Sequence, residues 1–60
     1  MQTIDIQDYA RQLFDAHGTR AIAEAAQKAS AFEQKGDHEQ AQTWRNIEKA
    51  LLLMRGAKES

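Results

Sequence analysis

The chain contains no cysteine and no proline, and only three glycines. Without cysteine there is no disulfide framework, no thiolate nucleophile and no cysteine-bearing zinc site. Neither sign of charge is in excess: Lys and Arg number 8 against 9 Asp and Glu, a formal net charge of -1. That balance gives no electrostatic footprint for nucleic acid or an anionic membrane surface. Long hydrophobic runs are missing too. The longest is "ALLLM", residues 50–54, far short of the ~20 residues that cross a bilayer. The opening stretch, "MQTIDIQDYARQLF", is acidic and broken by polar residues, which fits neither a signal nor a transit peptide. These exclusions leave a soluble, cytoplasmic protein without a membrane partner as the expectation. Sixty residues allow a single domain, residues 1–60. A chain this short buries little apolar surface, so it needs well-formed helices, a partner chain, or both.

With proline absent, punctuation falls to Gly18, Gly36 and Gly56. Each closes a stretch of helical periodicity, at the position that enters the left-handed region after a helix. Thr19 and Asp37, which follow two of them, are N-cap types. The spacing predicts a first helix over about 6–16, with Asp5 as N-cap and Ile4 stapled onto Tyr9. Ile6, Tyr9, Ala10, Leu13 and His17 share one face there, with Phe14 beside it. A second helix is expected over about 20–35, its stripe made of Ile22, Ala25, Ala26, Ala29 and Phe32. An alanine-lined helix lets a neighbouring backbone come close. A third is expected over about 38–55, started by Asp37 with Gln40 as a capping-box variant. Trp44, Ile47, Leu51 and Met54 form its stripe, with Ala41 and Ala50 at the margins. Residues 56–60, "GAKES", are expected to fray. Short connections make consecutive helices antiparallel neighbours. The fold class is therefore all-α: a three-helix bundle, or a hairpin of helices two and three with helix one folded across it.

Two features of helix three bear on function. Trp44 faces the small side chains of helix two, so it reads first as a core plug and secondly as an interface anchor. Leu52 and Leu53 lie outside the stripe, in different directions. A helix that is apolar most of the way round is covered most of the way round, and one helix of three cannot have partners on every side. Leu52, Leu53 and Met54 therefore form the candidate interface, with Arg45 and Lys49 at its rim. The competing reading is a slightly apolar last turn that packs on helix one or stands exposed at no cost.

Catalytic chemistry finds no foothold. His17 and His38 are the only imidazoles, and nothing resembles the HExxH spacing of a helical zinc site. Asp5, Asp8, Asp15, Glu24, Glu33, Glu39 and Glu48 form a solvated polar face with no marked acid–base pair. There is no glycine-rich phosphate loop. No catalytic residue, cofactor or metal is expected. For nucleic acid, a helix-turn-helix needs a short first helix and a basic recognition helix. Here the helix before Gly36 is long and the next begins "DHEQAQ". Only Arg45, Lys49, Arg55 and Lys58 gather toward the C-terminal end.

"KGDHEQAQTW" resembles the turn and second helix of a tetratricopeptide repeat. It departs from that pattern in having Trp44 three residues after Ala41, Arg at position 45 and no closing proline. The likeness is that of a helical hairpin, not of a repeat unit. Over residues 9–55 the chain resembles short all-helical proteobacterial proteins, through "AHGTRAIAEAAQKA" and "GDHEQAQTWRNIEKAL". That resemblance implies an all-helical fold and transfers no activity and no functional residue. The expected function is protein–protein interaction: a small non-catalytic adaptor or regulatory subunit, self-associating as a homodimer through helix three or binding another protein. The alternative is a small nucleic-acid-associated regulator that uses the basic end of helix three.

Overall fold

A computed structural model describes residues 5–57. Three helices, α1 (Ile6–His17), α2 (Arg20–Lys35) and α3 (His38–Ala57), take up all of these except Asp5, Gly18, Thr19, Gly36 and Asp37. There is no strand among the described residues. All three helices pack on one another, α2 with α3 most extensively, which makes the fold a three-helix bundle. The Ile4 staple, Lys58 and the end of the "GAKES" tail lie outside the described residues.

The caps explain where the helices begin and end. Asp5 Oδ1 accepts a hydrogen bond from the Gln7 N–H at 3.2 Å. Asp37 Oδ1 accepts one from the Gln40 N–H at 3.3 Å. Between α2 and α3, Gly36 is left-handed, with φ 83° and ψ 12°. Its N–H donates to Glu33 O at 3.0 Å, and the Asp37 N–H donates to Phe32 O at 2.9 Å. These two bonds form a complete Schellman motif. They also decide the fate of the capping box. The Asp37 N–H is committed backward to α2, so it cannot also serve as the donor that a reciprocal Gln40 side chain would need.

Two expectations about the ends are corrected. Thr19 does not act as a side-chain N-cap: its backbone is already helical, at φ -67° and ψ -14°, and its hydroxyl caps nothing. Instead the Ala21 and Ile22 N–H groups reach back to Gly18 O and Thr19 O at 3.0 and 3.1 Å, in a tight turn. Gly56 does not end α3, which runs on to Ala57. A glycine inside a helix costs only about 1 kcal/mol relative to alanine, and Ala57 and Lys58 after it are good helix formers.

The core is built mostly from small side chains. Ala10, Ala21, Ala25, Ala29, Ala41 and Ala50 are buried, and Ile47 and Leu51 are the large residues among them. Ile6, Leu13, Phe14, Ile22, Trp44 and Met54 pack around this cluster, half-buried. On α2 the centre of the buried stripe is Ala21, Ala25 and Ala29, at i, i+4 spacing. Of the expected stripe, Ala25 and Ala29 are buried, whereas Ile22, Ala26 and Phe32 are half-buried. On α1, Ala10 is the buried position, whereas Tyr9 and His17 stand exposed.

The α2–α3 pair is an antiparallel hairpin. Glu33, close to the turn, pairs with Arg45, while Ala21 and Ala25 at the far end of α2 share the core with Ile47, Ala50 and Leu51. Helix α1 lies across this hairpin. Its Tyr9 meets Trp44, whereas Gln7 borders Leu53 and Met54, near the other end of α3.

Candidate functional site

Successive residues of a helix point about 100° apart, so Leu52 and Leu53 diverge. Leu52 is 43% exposed and Leu53 68%. Leu53, Met54 and Ala50 from α3 meet Gln7 from α1 around a shallow groove of about 240 Å³. Leu52 takes no part in it. The α1 backbone positions the groove: Asp5 caps that helix, and Ala10 fixes it against the core at full burial. This leaves Gln7, one turn before Ala10 on the flank, beside the end of α3. Apolar atoms and one amide line the groove, and none of its four residues is titratable.

The expected rim residues part company. Arg45 points toward α2. Its Nε and Nη2 donate to Glu33 Oε2 and Oε1 at 3.5 and 3.3 Å, and its Nη1 donates to Glu48 Oε1 at 3.2 Å. The hydrogen bonds to Glu33 and then to Glu48 raise the guanidinium pKa above its ordinary value. Arg45 is thus a clasp across the α2–α3 hairpin. Lys49, exposed, stands one turn before Leu53 on its flank. Of the basic residues at this end, Lys49 and Arg55 are exposed.

Trp44 of α3 is half-buried and meets side chains from both other helices. Its ring meets Tyr9 of α1 edge-on, with centroids 5.9 Å apart and planes at 75°. Lys28 of α2 holds its Nζ 5.5 Å from the Trp44 centroid. The residue closes one side of the bundle, with an aromatic edge and a cation over its open face. A comparable polar tie joins α1 to α2, where His17 Nδ1 and Glu24 Oε2 lie 3.1 Å apart.

Among the described residues no group of His, Asp and Glu converges in a way that would hold a metal ion, and no helix is long and apolar enough to cross a membrane. Reading the sequence alone missed Gln7 and treated Ala50 only as a stripe margin. No local pattern marks either as a groove wall, because the groove exists only where α1 crosses the end of α3. Comparison with known protein families, curated proteins and solved structures finds no match to the chain.

Proposed function

We propose that the chain is a small non-catalytic interaction module, an adaptor or regulatory subunit, that self-associates as a homodimer through α3. The observation that carries this reading is Leu53, the most exposed large apolar side chain among the described residues, standing beside an apolar groove. Leu52 extends the apolar surface around α3. Covering the exposed part of Leu53, 68% of the residue, is worth about 1–2 kcal/mol, and a symmetric dimer gains it twice. The bundle has reason to use that gain, because among the described residues only Ile47 and Leu51 are large side chains that are buried. The proposal includes a bacterial, cytoplasmic setting: the bacterial part follows the resemblance noted for residues 9–55, and the cytoplasmic part follows the charge balance and short apolar runs of the sequence.

The test is a double substitution, Leu52→Glu with Leu53→Glu, followed by sedimentation equilibrium from low to high micromolar protein and by far-ultraviolet circular dichroism. The expected result is a shift of the wild-type dimer toward monomer with helix content retained. Collapse of helix content along with the dimer would mean that these leucines serve the core, and would defeat the proposal.

A further inference from the structure

The three helices are not tied equally. The α2–α3 hairpin is closed by its Schellman turn and by the Arg45 guanidinium, which bonds Glu33 across the pair. Ala29 and Ala41, near that turn, are buried outside the cluster that Ala10 joins. Helix α1 is held by less. It packs on α3 less extensively than α2 does, and on α2 least of all. Ala10 is its one buried residue, with Ile6, Leu13 and Phe14 half-buried against the core. Its other ties stand at the surface. The side chains of the His17–Glu24 pair are 44% and 38% exposed, and Tyr9, edge-on to Trp44, is exposed too. Pairs of this kind hold weakly. Where α1 crosses the end of α3, the open groove beside Gln7 leaves the packing incomplete.

The connection matters as well. Only Gly18 and Thr19 join α1 to α2, and Gly18 turns the chain at φ 66° and ψ -146°. Rotation at a glycine meets little steric resistance. Helix α1 has 12 residues, at the lower edge of what stands alone in water, so release from the hairpin also melts it. We infer that α1 is a strap: it opens as one unit about Gly18 while α2 and α3 stay paired, uncovering the apolar face around Ala21, Ala25 and Leu51. Whatever reads that face is gated by α1. The inference does not rest on the self-association proposed above. Heating does not separate the opening from melting. Release of one short helix exposes little surface, so its free energy falls less steeply with temperature than that of the whole bundle. Global unfolding therefore overtakes it at the midpoint, and the strap shows itself under native conditions, as a sub-global opening.

Native-state amide exchange in the full chain, followed residue by residue by nuclear magnetic resonance, tests this. Residues 10–17 should share one protection level, lower than that of the buried stretches of α2 and α3 by on the order of tenfold or more. Asp37→Ala removes the cap of α3 and touches nothing in α1. It should lower protection across α2 and α3 about fivefold. Residues 10–17 should stay within about twofold of wild type, because the strap opens with the hairpin still folded. Equal protection in all three helices, or an equal fall in all three on Asp37→Ala, would make the bundle one cooperative unit and overturn the strap. Protection that climbs steadily from residue 10 to residue 17 would mean fraying from the N-terminal end, and overturns it as well.

Discussion

At the scale of the residue, the three glycines show how much the backbone decides. A Cβ added at Gly18, Gly36 or Gly56 would meet no heavy atom within 4 Å, so space does not distinguish them. Conformation does. Gly36 is left-handed at φ 83° and ψ 12°, where an L side chain costs roughly 1–2 kcal/mol. Gly18, at φ 66° and ψ -146°, sits near a region populated essentially by glycine alone, with a cost of about 1–3 kcal/mol. Gly56 is helical, so alanine there gains about 0.5–1 kcal/mol. Urea unfolding of the three alanine variants should accordingly show two losses and one gain. A loss at Gly56 would mean that α3 ends before it. That glycines punctuate this chain is legible in the sequence; which of them turn the chain is not, because the same residue tolerates both helix and turn.

At the scale of the element, the helix starts at 6, 20 and 38 coincide with the starts expected from caps and periodicity. The ends hold less well, and α3 overruns its expected stop by two residues. The two N-cap types also behave differently. Asp37 Oδ1 takes the Gln40 N–H, and its own backbone completes the Schellman motif. Removing the side chain in Asp37→Ala should cost about 1 kcal/mol. Thr19→Ala should fall within about 0.5 kcal/mol of wild type, since its hydroxyl caps no N–H. Both are read by chemical denaturation, and a loss at Thr19 equal to that at Asp37 would contradict the cap assignment. The residue type marks a candidate cap; the dihedral angle at that residue decides whether the side chain can face the helix end.

At the scale of the whole molecule, Leu51 is the one large side chain that is fully buried among the described residues. Around it lie alanines from all three helices. Truncation to alanine there leaves a cavity that small neighbours cannot refill, at a cost of about 2–5 kcal/mol. For a domain of this size that is a large share of the total stability. Leu51→Ala should therefore melt α1, α2 and α3 together at a much lower temperature, with the Trp44 fluorescence and helical circular dichroism transitions coinciding. Separate transitions would mean that α1 is an accessory to an independently stable hairpin. The same economy of large side chains is why the apolar surface around Leu53 matters: the bundle leaves at its surface a leucine that a larger core would have enclosed.

The sequence by itself determined the all-helical class, the number of helices, their starts and the stripe Ile47, Leu51 and Met54 on α3, because capping and 3.6-residue periodicity are local properties. It also singled out Leu52 and Leu53 as residues too many for one apolar face. Periodicity already pointed the two in different directions; only the tertiary structure showed which of them borders a groove. The crossing of α1 over the end of α3 brings Gln7 to Ala50, Leu53 and Met54 and leaves Leu52 on another side. Likewise the packing of α2 on α3 draws Arg45 to Glu33, away from the rim where periodicity alone would put it. Those outcomes depend on the angle and register between helices. Such angles come from how side chains far apart in the chain interdigitate, and no stretch of neighbouring residues encodes them.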